Sequence, residues 1–245
     1  MKKKKPYRVQ DRRFRRFRGE NPDVGFAEYT MNLVVRGMQA GRVNPDSALG
    51  IAQLNPGKFW EAAEPKAAKW FKTMALSRDH KVIEYGCGSL RLGAHFIRHL
   101  DRAGYFGLDV ISDFYEQGVQ TIGAKMIEQK APKLRAIGEQ SIAEGVAFAA
   151  DFVCSNTVAV HVHPNETETY FGNLARLTAK PGARLIFNAV VYDRRHRFEF
   201  NSWAWPMEFY KESLSELECV RAEIGRPRVK DGIEMKLAEF EFRRR

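Results

Sequence analysis

Residues 82–93, VIEYGCGSLRLG, join a short apolar run to a glycine-rich turn. An apolar run of this length that ends at a turn predicts a buried strand of a parallel sheet. Leu92, Phe96 and Ile97 then recur at helical spacing, which predicts a helix after the turn. A strand, a tight turn and a helix in this order let backbone N–H groups approach a ligand at the helix N-terminus.

Three residues of this stretch indicate a ligand-binding edge of the sheet. Gly86 and Gly88 carry no Cβ, so a ligand can lie against the main chain there. Glu84 stands at the carboxyl end of the strand, where open α/β sheets bind their ligands. Because many glycine turns only connect a strand to a helix, this pattern alone does not identify a ligand.

A second strand supplies an acid at a meaningful distance along the chain. Residues 105–109, YFGLD, end in Asp109, about 21 residues beyond Gly88. A carboxylate at that offset can accept both hydroxyls of a ribose. The dinucleotide fingerprint G-x-G-x-x-G is not met, because Arg91 stands three residues after Gly88 and the next glycine is Gly93. These residues therefore favour an adenosine-containing ligand over a nicotinamide dinucleotide.

Three motifs of the chain resemble those of the class I S-adenosylmethionine-dependent methyltransferases, in that family's order and spacing. They are Glu84-x-Gly86-x-Gly88, Gly-Leu-Asp at 107–109 and DFVCSN at 151–156. The family commonly reads E/D-x-G-x-G-x-G, whereas this chain has Leu90 at the third glycine. The resemblance covers roughly residues 78–243. It implies an α/β, Rossmann-like fold: a seven-stranded, mostly parallel sheet with an antiparallel last strand and helices on both faces.

The remaining strands and the N-terminal helices follow from local patterns. Apolar runs predict strands over 134–137, 148–155 and 184–191, and a final antiparallel pair over 219–224 and 235–242. Asn-Pro-Asp at 21–23 and at 44–46, and Glu64-Pro65, predict helix starts. We therefore expect a basic, disordered arm over 1–20, a helical extension over 21–77 and the methyltransferase domain over 78–245.

The resemblance also implies a cofactor, S-adenosyl-L-methionine, bound at the strand ends. Its predicted contacts are Glu84, Gly86, Cys87, Gly88, Asp109, Val110, Glu139 and Asn156. Glu139 stands where the family touches the adenine. Arg91 has two interpretations: it reaches the carboxylate of the cofactor, or it pairs with an acid on a neighbouring loop.

His161 is the candidate catalytic residue. Methyl transfer from a sulfonium requires mainly alignment of donor and acceptor, but a hydroxyl acceptor also needs a base for its proton. His161 follows the fourth strand, at a position where many family members also have histidine, so the resemblance implies a base. The alternative is a ring that hydrogen-bonds the backbone and holds the loop.

The acceptor is predicted to lie beside the loops after the fifth strand. Tyr192, Trp203 and Trp205 occur there and can stack on a sugar or an aromatic ring, although aromatic residues at such positions also serve as packing. The sequence Gly-Cys-Gly-Ser-Leu-Arg resembles bacterial methyltransferases thought to act on sugars or small metabolites. We therefore expect O-methylation of a small-molecule or glycan acceptor.

The charge of the chain is concentrated at its N-terminus. Of the net charge of +10, residues 1–18 carry +9, from ten basic residues and one acid, Asp11. The remainder is nearly neutral, which argues against a wide phosphate-binding face. The arm supports two alternatives: an RNA methyltransferase tethered by residues 1–18, or a catalytically silent cofactor-binding module that joins an anionic partner.

Composition indicates the environment of the protein. No apolar run approaches the roughly 18 residues of a membrane span, and no apolar segment follows the positive start, so neither a span nor a secretory signal is predicted. Cys87, Cys154 and Cys219 are widely spaced, which predicts reduced thiols, no metal site and a cytoplasmic location. The sequence leaves the oligomeric state open.

Overall fold

The described residues contain one large β-sheet and a separate two-stranded hairpin. The computed structural model describes residues 7–42, 55–230 and 232–245. The strands are β1 Val82–Tyr85, β2 Tyr105–Asp109, β3 Lys133–Ala136, β4 Phe152–Ser155, β5 Arg184–Val191, β6 His196–Glu199, β7 Ser202–Ala204, β8 Glu218–Lys230 and β9 Ile233–Arg243. Seven of them form one sheet in the order β3-β2-β1-β4-β5-β9-β8, and β6 and β7 form a separate hairpin.

The large sheet is parallel from β3 to β5, whereas β9 runs antiparallel to both β5 and β8. In the register of its centre, Glu84 of β1 lies opposite Gly107 of β2 and Cys154 of β4. The carboxyl ends of β1, β2 and β4 therefore meet at one edge. This architecture confirms the predicted fold class.

Helices cover both faces of the sheet. They are α1 Tyr7–Glu20, α2 Phe26–Gln39, α3 Pro56–Glu61, α4 Glu64–Met74, α5 Gly93–His99, α6 Ser112–Ile122, α7 Ala124–Lys130, α8 Glu139–Phe148, α9 Thr167–Leu177 and α10 Met207–Ser213, with a 3₁₀ turn at Ala159–His161. Residues of α8, α9 and α10 pack on one face around Ile83 and Phe187. Residues of α3 to α6 pack on the other face around Val82 and Cys154. This alternation within β1 is what a strand buried on both faces requires.

The N-terminal arm differs from the prediction. Residues 7–20 form helix α1, whereas the sequence predicted disorder over 1–20. The reason is that the few apolar side chains of the arm lie on one face of the helix. Phe14 is 7% exposed and packs against Phe26 and Tyr29, so one aromatic cluster supplies the packing that the charged residues lack.

The first predicted helix starts later than expected. Helix α2 begins at Phe26, because the Glu166 carboxylate accepts the backbone N–H groups of Phe26 and, at 3.4 Å, of Ala27. Asn21 instead donates its side-chain amide to the Phe17 carbonyl, 3.0 Å away, at the end of α1. A side chain 140 residues along the chain therefore caps α2, and the expected local cap serves the preceding helix.

Other predicted elements are present, some with different bounds: β4 begins at Phe152 and not at 148, and β8 continues to Lys230, beyond the predicted end at 224. The helix start at Glu64 and the strands 105–109 and 184–191 are confirmed. The start predicted at 44–46 lies outside the described residues. Among those residues, no helix is long and apolar enough to cross a membrane.

Candidate active site

The turn after β1 opens onto free space at one glycine and is covered at the other. Both Gly86 and Gly88 have positive φ angles, of 80° and 53°. A Cβ added to Gly86 would lie 2.3 Å from Cγ2 of Val158, so this glycine permits close contact with the loop after β4. A Cβ added to Gly88 would have no neighbour within 4 Å. The bare main chain that a ligand could cover is therefore at Gly88.

Leu90 takes the place of the third glycine of the family motif. Its φ is 60°, in the left-handed region that glycine favours, and its side chain is fully buried. A left-handed leucine is strained relative to glycine, and its buried side chain compensates through packing. The backbone path of the turn therefore does not depend on a glycine here.

Asp109 ties the end of β2 to this turn. Its carboxylate accepts the N–H of Gly88 at 2.6 Å and the N–H of Val110 at 2.8 Å, each on a different oxygen. The residue is only 6% exposed, and burial raises its pKa to about 6 although the backbone N–H groups oppose the shift. The Ile111 N–H also bonds this carboxylate, which has about four acceptor positions on its two oxygens, so part of its acceptor capacity is left for a ligand hydroxyl.

Glu84 and Cys87 are more enclosed than the sequence indicates. The Tyr105 hydroxyl donates to Glu84 at 2.6 Å, and burial raises the pKa of Glu84 to about 8, so this carboxyl group is protonated at neutral pH. Cys87 is 4% exposed and belongs to the core under α5, and burial raises the pKa of its thiol. At Cys87, the main chain is the part that a ligand at Gly88 could reach.

The loop after β4 is held by an asparagine that the sequence analysis missed. Asn188 of β5 donates its amide to the Asn156 side-chain oxygen at 2.9 Å and accepts the Thr157 N–H at 2.6 Å. Thr157 has a φ of 62°, so this loop also uses a left-handed residue. A single amide within the apolar strand RLIFNAVV is the sequence signal that could have identified Asn188.

Glu139 starts α8 directly after β3, beside the same edge. Its carboxylate pairs with both terminal nitrogens of Arg176 in α9, one of them at 3.0 Å, and this hydrogen bonding lowers the pKa of Glu139. Glu139 is exposed, and a Cβ added to the preceding Gly138 would have no neighbour within 4 Å. The end of β3 thus also offers open main chain.

Arg91 lies three residues after Gly88 and is half-buried. Burial lowers the pKa of its guanidinium. Within the described parts of the chain, no carboxylate or carbonyl hydrogen-bonds to it. A half-buried guanidinium is suited to an anionic ligand group.

His161 has a defined tautomer. Its Nδ1 lies 2.8 Å from the Asn201 carbonyl oxygen, and because a carbonyl only accepts, Nδ1 carries the proton. Burial lowers the pKa of His161, so the ring is neutral at pH 7 and Nε2 keeps its lone pair. The ring therefore holds the loop, as the alternative interpretation states, and retains an acceptor nitrogen that a base requires.

The three candidate acceptor residues occupy different environments. Trp203 is 3% exposed, and its ring packs 5.5 Å from Phe26, so it serves the packing role that the sequence left open. Trp205 is half-buried and stacks on Phe209 at 4.0 Å. Tyr192 is also half-buried and lies at the end of β5. Tyr192 and Trp205 thus lie nearer to solvent than Trp203.

The cysteines and the other potential metal ligands were the remaining candidates for a reactive site. Cys87, Cys154 and Cys219 are free thiols. Among the described residues, no group of three or more His, Cys, Asp or Glu side chains could hold a metal ion.

Comparison with known proteins identifies the fold. No protein-family model matches the chain, and no curated protein matches it. The magnesium protoporphyrin IX methyltransferase ChlM of Synechocystis PCC 6803, with SAH bound, aligns with a TM-score of 0.55 and 13% identity over 90% of this chain and 96% of that one. The N-methyltransferase NodS of Bradyrhizobium japonicum WM9 gives a TM-score of 0.51 and 15% identity over 75% and 97%. The [4+2]-cyclase SpnF gives 0.58 and 13% over 75% and 82%.

Likenesses at such low identity establish architecture and not reaction, as the cyclase among them illustrates. The strand order, the antiparallel β9 and the three motifs at the strand ends all agree with that architecture. The chain has the Rossmann-like fold of the class I S-adenosylmethionine-dependent methyltransferases.

Proposed function

We propose that the protein is an S-adenosylmethionine-dependent methyltransferase that methylates a hydroxyl group of a sugar or small metabolite. The observation that carries the proposal is the Asp109 carboxylate, held beside the open main chain at Gly88. ChlM, which shares the fold, has been crystallised with SAM and with SAH. Because SpnF has the same fold and is a cyclase, the proposal depends on the site residues and not on the fold alone.

The site residues fit an adenosine group. Asp109 would accept the ribose hydroxyls with the acceptor capacity that its backbone partners leave. Gly88 and Gly138 leave room for a ligand against the main chain at the ends of β1 and β3. Arg91, with its guanidinium unpaired among the described residues, would bind the cofactor carboxylate. The bound cofactor supplies an electrophilic methyl group on its sulfonium.

His161 would take the acceptor proton. The Asn201 carbonyl fixes the proton on Nδ1, so Nε2 is the nitrogen that would accept the hydroxyl proton. The same hydrogen bond stabilises the imidazolium that results. The acceptor oxygen would bond to the methyl carbon as the bond from that carbon to the sulfonium sulfur breaks, which would leave the cofactor as its thioether. Tyr192 and Trp205 would contact the ring of a sugar or small metabolite through their aromatic faces.

One experiment tests the proposal against its alternatives. The protein is incubated with cofactor labelled on the methyl group and with fractionated cell extract, and the label is followed into small molecules, glycans, RNA and protein. Label in the small-molecule or glycan fraction is the expected result. Label in RNA favours the tethered RNA methyltransferase, and tight cofactor binding without any transfer favours the silent module.

A further inference from the structure

Helix α1 has an aromatic inner face that is fixed to the body of the protein. The Phe14 ring lies 5.0 Å from the ring of Phe26 and 5.1 Å from that of Tyr29. Asp11 accepts two hydrogen bonds from Arg197 Nη1, at 2.8 and 2.9 Å, and the Arg197 guanidinium lies 4.4 Å from the centre of the Tyr7 ring. The helix is therefore anchored on the β6–β7 hairpin.

The outer face of α1 is a row of arginines. Arg8, Arg12, Arg15 and Arg16 are spaced at i, i+4, i+7 and i+8, which places them on one side of a helix and opposite Phe14. All four are exposed, and within the described ranges no carboxylate pairs with any of them. Like charges one turn apart repel each other, so an anionic partner would stabilise this face. We call these four residues the outer arginine face.

The hairpin that anchors α1 also contacts the candidate base. Arg197, which anchors α1, belongs to β6, and the turn between β6 and β7 supplies the Asn201 carbonyl that fixes the His161 tautomer. Helix α1 itself thus rests on the hairpin that also supports the candidate base.

The structure favours a nucleic-acid backbone over a membrane as the partner. An amphipathic helix binds a membrane by inserting its apolar face, and here that face is buried against α2. Arg8 to Arg16 span eight residues, about 12 Å of helix, which is about the length of three to four phosphates on one strand of a duplex. No aromatic side chain lies on the outer arginine face, so it would contact phosphates and not stacked bases.

We propose that the outer arginine face of α1 binds the phosphate backbone of RNA. RNA is chosen over DNA because each ribose of RNA carries a 2′-hydroxyl that a hydroxyl methyltransferase could use, so this choice rests on the alternative function, an RNA methyltransferase tethered by residues 1–18, and not on a small-metabolite acceptor. Arginine suits the role because its planar guanidinium can contact two phosphate oxygens at once. The four lysines at positions 2–5 continue the positive charge of the sequence.

Binding is measured without cofactor, so its failure is distinct from a failure of methyl transfer. The probe is a fluorescein-labelled RNA duplex of twenty base pairs, followed by anisotropy from 50 to 300 mM salt. The test variant is R8Q/R12Q/R15Q/R16Q, and the matched control removes four exposed charges elsewhere, K72Q/K125Q/K211Q/K236Q. Circular dichroism verifies that both variants fold.

We expect the arginine variant to bind at least about tenfold more weakly at 0.1 M salt, with a slope of log K against log salt shallower by roughly three, and the control to change little. The charge-preserving variant R8K/R12K/R15K/R16K should retain most of the affinity. Equal losses in the arginine variant and the control would overturn the proposal, because net charge alone would explain them. Tighter binding to the same DNA duplex, or arginine-dependent binding to anionic phosphatidylglycerol vesicles without RNA binding, would also overturn it.

Discussion

The Asp109→Ala variant tests the proposed cofactor site most directly. In the structure, Asp109 is 6% exposed, and its two oxygens accept the N–H groups of Gly88 and Val110. The acceptor capacity that the backbone N–H groups leave on this carboxylate is assigned to the ribose hydroxyls. A hydrogen bond to a charged acceptor contributes about 1.5–3 kcal/mol, so loss of two such bonds should weaken cofactor binding by about 3–6 kcal/mol, or roughly 10²- to 10⁴-fold in Kd.

Isothermal titration calorimetry with S-adenosylhomocysteine measures this loss without any acceptor. The Asp109→Asn variant retains one acceptor oxygen and the shape of the side chain, so its affinity should fall less than that of the alanine variant. Asp101→Ala is the matched control, because Asp101 is an exposed acid whose pair with Arg78, at 3.3 Å, lies on the surface. Wild-type affinity in a folded Asp109→Ala protein would refute the placement of the site.

The raised pKa of Asp109 adds a pH signature to the same assay. Burial raises this pKa to about 6, so the carboxyl group gains its proton as the pH falls through 6 and then donates where it should accept. Affinity for S-adenosylhomocysteine should therefore fall below about pH 6 in the wild type. The Asp109→Asn variant should show no such decline, and an identical decline in both proteins would assign the titration to another group.

Three further predictions follow from single side chains. Arg91→Gln should weaken binding of S-adenosylhomocysteine roughly ten- to hundredfold but leave binding of 5′-methylthioadenosine, which has no carboxylate, unchanged by calorimetry; equal losses for both ligands would contradict the assigned contact. His161→Ala should lower turnover roughly 10²- to 10⁴-fold with cofactor affinity preserved, and unchanged turnover would exclude it as the base. Glu239 is 6% exposed and accepts hydrogen bonds from Trp70 and Lys66; together with Lys69 these partners outweigh the effect of burial and lower the pKa of Glu239 to about 2. Its charged form should therefore add about 3 kcal/mol to the free energy of unfolding above pH 4.5, and this contribution should be lost as the pH falls toward 2. Urea unfolding measured across this pH range should show the loss in the wild type and not in the Glu239→Gln variant.

The parts of the fold that the sequence predicted are those fixed by local pattern. The strands over 105–109 and 184–191 are short apolar runs limited by turns, and the structure gives them the same bounds. The pair of final strands was also expected, although β8 extends to Lys230. In β9, residues 238–242 are all buried, so both faces of this segment are covered. Apolar and polar residues therefore do not alternate along it as they do in a strand with one face exposed to solvent.

The parts that the sequence could not supply depend on distant partners. Helix α1 is ordered by Phe26 and by Arg197, which lies 186 residues from its partner Asp11. The start of α2 also depends on a distant residue, because the Glu166 carboxylate accepts the N–H of Phe26. Asn188 of β5 accepts the Thr157 N–H in the loop that follows β4, and this contact exists because β4 and β5 are neighbours in the sheet. The sequence alone does not give that pairing.

The aromatic cluster beneath α1 has a practical consequence for work on this protein. Phe14 packs on Phe26 and Tyr29, and Phe26 packs on Trp203. A truncation that removes the basic residues 1–18 would therefore also remove Phe14 and expose part of this aromatic cluster. The shortened protein would expose an apolar patch that promotes aggregation, and the resulting loss of binding could be mistaken for loss of the basic residues themselves. Substituting the exposed arginines in the full-length chain, with Phe14 left in place, separates the effect of charge from that of the aromatic cluster.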